Sequence, residues 1–195
     1  MGVWGLVKAK YWTENDKVTI THLVTVAEVG GCEINCLRIM GALPSLRHRV
    51  FVLGNEGPMS ARWREAGAAV EHLDVLRLGS FAFERRLRQL AIAGVFRGAV
   101  LYWSNSRLFW VWRALSQSIS ALTIHLGNPY GAGRLGRWRD GVYELCSRPG
   151  KRVRLVACSQ SVAESFRSAP FFRGMPLEVV PNPVEIAEPK SEHRL

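Results

Sequence analysis

Nowhere does this sequence stay apolar for the roughly 18 to 20 residues that a membrane-spanning helix needs. Its best candidate, the stretch from Leu87 to Trp103, is broken by Arg97. The first 17 residues, MGVWGLVKAKYWTENDK, hold neither a long apolar core nor a small-residue cleavage site. No signal peptide is expected, and the chain is expected to be cytoplasmic. Cysteine is sparse, and the four present form no CxxC pair. Cys32 and Cys36 lie one helical turn apart, while Cys146 and Cys158 stand far along the chain, a pattern of buried reduced thiols rather than of a zinc site. At the Gly30 and Gly31 turn two phosphate-binding patterns are missing, the dinucleotide G-x-G-x-x-G and the P-loop with its Lys and Ser or Thr. No helix-turn-helix, RNP or zinc-finger pattern is present, so specific nucleic-acid binding is not expected. Internal repeats and low-complexity tracts are absent as well.

Acid is scarce relative to base, with 16 Asp and Glu against 26 Lys and Arg, a net charge of +10 and a pI near 10.1. The basic residues occur in small groups, Arg85, Arg86 and Arg88, then Arg134, Arg137 and Arg139, then Lys151, Arg152 and Arg154, with apolar segments between them. Such dispersal suits either a solvated basic surface or one that faces phosphate or anionic lipid.

What is present is the composition of a folded domain. Hydrophobic residues make up 48% and charged residues 22% of 195 residues, enough for one good core. Short β-branched runs alternate with stretches of helical character, the pattern of βαβ units around a mostly parallel sheet with helices on both faces. Strands are predicted at 18–26, 49–53, 70–73, 99–103, 121–126, 154–158 and 177–180. Helices are predicted after the glycines Gly30 and Gly31, and at 59–66, 81–96, 107–116, from about Trp138, and at 161–168. The first helix carries an apolar stripe of Cys32, Cys36, Ile39, Met40 and Leu43 and stops at Pro44. An α/β domain is expected over 18–186, with a basic, aromatic extension at 1–17 and a polar tail or linker at 187–195.

In such a sheet, ligands collect beyond the carboxyl ends of the strands, where helix N–H groups and dipoles favour an anion. Gly30 and Gly31 stand there, although a double glycine alone is equally a tight turn. His125 ends a strand in TIHLGNP and precedes the glycine-rich segment Gly127 to Gly141, which includes Asn128. Ser159 follows the strand RLVAC, and Asn182 follows LEVV. Jointly these residues suggest a cleft along one sheet edge. The aromatic run YWSNSRLFWVW, with Trp103, Trp110 and Trp112, reads first as core packing and second as a stacking platform.

The order of these features resembles the amino-terminal domain of subfamily-4-like glycosyltransferases of GT-B architecture. The shared features are a strand running into GGCE, RHRVFVLGNEGP followed by WREAGAAVEHL, a strand ending in His, VRLVACSQSVAESF and VVPNPVE, together covering about Val18 to Ile186. That resemblance implies two Rossmann-like domains across a cleft, the first holding the acceptor and the second the nucleotide sugar, with retaining hexosyl transfer as the reaction. It implies no cofactor, only a nucleotide diphosphate sugar as donor substrate, and no metal. Gly30 and Gly31 would match the loop whose backbone approaches the donor diphosphate or the acceptor, and His125 the histidine beside the reacting sugar. Asn128, Ser159 and Asn182 would line the same site. In the last motif Pro183 stands where the family has glycine, with Glu185 near the acidic position. The donor-binding half is expected to lie outside these residues, in the same gene or a separate chain, unless the chain is an acceptor-binding remnant. The acceptor is expected to be a sugar or lipid-linked molecule, with the chain peripheral to an anionic inner membrane face. Two other classes stay open at this point: a Rossmann-like nucleotide-binding enzyme of another kind, and a non-catalytic basic surface-binding module.

Overall fold

A computed structural model of the chain describes residues 18–103, 107–131 and 153–182. The N-terminal extension, the later part of the glycine-rich segment, the helix expected from Trp138, Cys146 and the tail lie outside the described residues.

In chain order the described elements are β1 (Thr19–Val24), α1 (Gly31–Ala42), β2 (Arg47–Val52), α2 (Pro58–Glu65), β3 (Ala69–His72), α3 (Ser80–Ile92), β4 (Ala99–Tyr102), α4 (Leu108–Leu115), β5 (Leu122–Leu126), β6 (Val153–Ala157), α5 (Gln160–Arg167) and β7 (Leu177–Val179). The strands form one sheet in the order β3-β2-β1-β4-β5-β6-β7, and each neighbouring pair is parallel. This is a single Rossmann-like α/β domain, as expected, and every strand reading and helix reading within the described residues finds its element to within a few residues.

Alternation along the strands gives the sheet two apolar faces. Val50 and Val52 of β2 turn to α1 and α2 and pack with Cys36, Met40, Met59 and Trp63. Phe51, between them, turns the other way and joins Phe83 and Leu87 of α3, Trp112 of α4 and Phe166 of α5. Local chemistry sets the helix ends. Pro58 opens α2, where the missing N–H costs nothing, and Gly67 just beyond it takes φ +86, the left-handed conformation in which glycine has no steric penalty. Gly98 before β4 is more constrained still, because at φ +73 a Cβ would lie 1.9 Å from the carbonyl oxygen of Thr19. That close approach lets β4 pair against β1.

Strand β1 lies between β2 and β4, so the chain winds outward on both sides of it. The crevice between their carboxyl ends is where this architecture gathers ligands. No described helix is long and apolar enough to cross a membrane.

Candidate functional site

His125 lies near the carboxyl end of β5 and is 8% exposed. Its Nε2 lies 3.2 Å from Oδ1 of Asn182, in the segment that leaves β7. An amide oxygen only accepts, so Nε2 carries the proton and Nδ1 is left as a lone-pair acceptor. That Nδ1 is buried and has no hydrogen-bond partner among the described residues. Burial lowers the His125 pKa, and the bond to Asn182 offsets this in part, so the imidazole is neutral near pH 7. A buried, unpaired acceptor is costly unless something outside the fold supplies its donor.

A cavity of about 110 Å³ adjoins it, lined by Gly31, Cys32, Asn35, His125, Gly127, Asn128 and Asn182. The absence of a side chain at Gly127 keeps it open: a Cβ there would lie 3.1 Å from Sγ of Cys32 and 3.9 Å from Nδ1 of His125. The sulfhydryl of Cys158 donates to the Gly127 carbonyl at 3.4 Å and fixes that backbone. Burial, with the Glu33 and Cys158 charges adding to it, pushes the Cys32 thiol up to about 11, so it remains protonated. Asn35, His125 and Asn182 also border an apolar cavity of about 230 Å³ whose other walls include Ile39, Leu101, Trp103, Val156 and Val180.

Helix α1 faces the polar cavity with its first turn. Gly30 is extended, at φ −148 and ψ 173, so the double glycine does not serve to reach a left-handed turn. Nothing lies within 4 Å of where a Gly31 side chain would start, and the first-turn N–H groups have no partner within the helix. A Cβ on Gly30 would meet Oε2 of Glu33 at 2.5 Å. Glu33 thus folds its carboxylate over the glycine turn, and burial raises its pKa.

Behind the cavity, Trp103 leans on His125, with ring centroids 4.9 Å apart. Its indole N–H donates to Nδ1 of His22 at 3.0 Å, which obliges Nε2 of His22 to carry the proton and donate to Nδ1 of His48, also at 3.0 Å. His48 in turn donates through Nε2 to the Leu43 carbonyl at 3.0 Å. Three bonds, two buried and the last part-buried, therefore run in one direction and hold Trp103 in place.

Of the residues singled out in the sequence, Gly31, His125, Asn128 and Asn182 come together around one cavity. Gly30, the residue before α1, is not among the lining residues. Ser159 serves elsewhere, as the cap of α5, its Oγ accepting from the N–H of Val162 at 3.3 Å, and it is not among the lining residues. Trp112 is buried as core, in keeping with the packing reading of the aromatic run, whereas Trp103 is both core and cavity wall. Asn35, Glu33 and the His22 and His48 pair escaped the sequence reading. Asn35 left a signal, since it sits three residues after Cys32 and one before Cys36, inside the apolar stripe.

No protein-family profile and no curated protein sequence matches the chain. Solved structures do. The fold is similar to that of Anabaena Alr3699/HepE in complex with UDP, with a TM-score of 0.63 and 17% identity over 86% of this chain. It is similar also to the same protein in complex with UDP and glucose, with a TM-score of 0.64 and 16% identity over 85% of this chain. In both comparisons the match covers 45% of the HepE chain, so this chain corresponds to less than half of that protein.

Proposed function

We propose that the chain is the acceptor-side half of a glycosyltransferase that uses a nucleotide diphosphate sugar and transfers a hexosyl group with retention. The observation that carries this reading is His125, which lines a polar cavity beside the first turn of α1 and whose buried Nδ1 has no hydrogen-bond partner among the described residues. A lone pair fixed in this way accepts a hydrogen bond from a sugar hydroxyl, and the free N–H groups of Gly31 and Cys32 suit an oxygen that carries or develops negative charge. Holding both groups in one geometry is the main service such a site can offer to sugar transfer. The fold shared with HepE, a protein that takes UDP and glucose, agrees with this assignment.

Donor binding then falls to a second half, carried on the same or a separate polypeptide. Val26, Val29 and Val180 are exposed around the carboxyl edge, 38%, 59% and 51% respectively, and an apolar rim of this kind suits a partner surface. The test is to supply that half by co-expression and follow nucleoside diphosphate release from a panel of nucleotide sugars. In the assembled enzyme His125→Ala is expected to lower turnover at least about a hundredfold, the scale of losing one positioned polar group at a reacting centre. The variant should still fold, as read by circular dichroism. Turnover retained in His125→Ala would remove the assignment.

A further inference from the structure

The outer face of α3 is set apart from the cavity beside His125. Phe81 and Ile92, at its two ends, are 76% and 73% exposed, and Arg85 and Arg86 between them are exposed as well. The one acidic residue on α3 and α4, Glu84, is buried and consumed: it pairs with Arg88 and, at 3.3 Å, with Arg113. Neither Arg85 nor Arg86 has an acidic partner among the described residues. Phe81 stacks edge-on against the half-buried Trp110 of α4, ring centroids 5.2 Å apart, which extends the aromatic end of the face onto a second helix.

We propose that this face, Phe81, Arg85, Arg86 and Ile92 with Trp110 at its edge, docks the protein on an anionic lipid bilayer. Positive charge without acid answers the phosphates and carboxylates of lipid headgroups. The large apolar side chains at both ends decide between lipid and other polyanions. Phosphate alone gives exposed Phe and Ile nothing, whereas the boundary between headgroups and acyl chains buries them. The helix N-terminus lies at the carboxyl edge of the sheet, so Phe81 and the candidate site share one end of the molecule. The proposal does not depend on glycosyl transfer, and it can fail while that reading stands.

The experiment is flotation of the full chain with vesicles of phosphatidylcholine alone or of phosphatidylcholine rich in phosphatidylglycerol. Binding is expected only to the anionic vesicles. Arg85→Gln with Arg86→Gln should weaken it about thirtyfold, from two juxtamembrane arginines. Phe81→Ser, which leaves the charge intact, should weaken it about tenfold. All three positions are exposed, and circular dichroism is the check that the variants fold. Equal binding by wild type and the double arginine variant overturns the proposal. Indifference to Phe81→Ser together with competition by DNA also overturns it and makes the face a polyanion site. A dimer disrupted by Phe81→Ser, with no vesicle binding, assigns the face to a second copy instead.

Discussion

His22 has no exposed surface, and both of its ring nitrogens are committed, one accepting from Trp103 and the other donating to His48. Burial, with His48 adding to it, lowers its pKa to about 3, so in the folded chain it stays neutral far below the pH at which a free imidazole charges. The unfolded chain takes up that proton near pH 6.5. Stability linked to His22 is therefore present above about pH 6.5 and is lost as pH falls toward 3, by up to about 1.4 kcal/mol per pH unit. Gln at this position can accept from the indole and donate to His48, so it preserves both bonds and deletes the titration. For His22→Gln, denaturant unfolding between pH 4 and 6 should show a slope of stability on pH smaller by about one proton; an unchanged slope would refute the claim that His22 is held neutral in the fold. Gly127 allows a separate test at the cavity. A methyl there meets the Cys32 sulfur, which can give by a few tenths of an ångström, and occupies the space before Nδ1 of His125. Gly127→Ala should thus lower stability by no more than about 1 kcal/mol, because the backbone needs no left-handed conformation there. In the assembled enzyme it should cost at least tenfold in acceptor KM, measured in steady-state kinetics, and a KM equal to wild type would show that acceptor does not use this slot.

Helix α3 shows how far an element's sequence can be read. Its period is plain: Leu87 and Ala91 are buried and Arg85 and Arg86 exposed, as their spacing suggests. Phe83 and Glu84 are buried too, although a glutamate among arginines has the look of a solvated surface. Only the partner helix changes that, because Arg113 of α4 reaches Glu84 from the other side. Propensity and period locate an element, whereas the fate of a single polar residue depends on what packs over it. Glu84 accepts from Arg88 on its own helix and forms an ion pair with Arg113 of α4, so it fastens α3 to α4. Glu84→Ala should destabilise the fold by about 2 kcal/mol, less than for a fully buried pair because both arginines keep partial access to water. Glu84→Gln should cost less, since it still accepts from one guanidinium. Guanidinium chloride titrations would check both, and a loss below about 0.5 kcal/mol in Glu84→Ala would mean the pairs are ornamental.

At the scale of the molecule, one property of the site was open to reading and another was not. A parallel sheet puts all strand ends on one side, so the expectation that His125, Asn182 and the first glycine turn share an edge followed from the alternation of elements alone. That Asn182 should return across β6 to reach a histidine on β5 depends on strand order, which no local pattern encodes. The same is true of His22, His48 and Trp103, which meet only because β1 lies between β2 and β4. Charge is the other whole-molecule quantity, and it was fully legible. With 26 basic and 16 acidic residues, a net charge of +10 has no acidic counterpart even if every acid were paired. Several of the ion pairs that do form, such as Arg64 with Glu56 and Arg77 with Asp74, are solvent-exposed and contribute little. Self-repulsion should therefore outweigh what exposed pairs supply, and screening it should favour the compact state. Raising sodium chloride from low to physiological ionic strength is expected to raise the melting temperature by about 2 to 4 °C, the shift that corresponds to about 1 kcal/mol in a chain of this size. Scanning calorimetry at several salt concentrations would measure it. A melting temperature that falls with salt would mean that attractive pairs dominate, and the basic surface would then already be neutralised within the fold and not be available to an anionic partner.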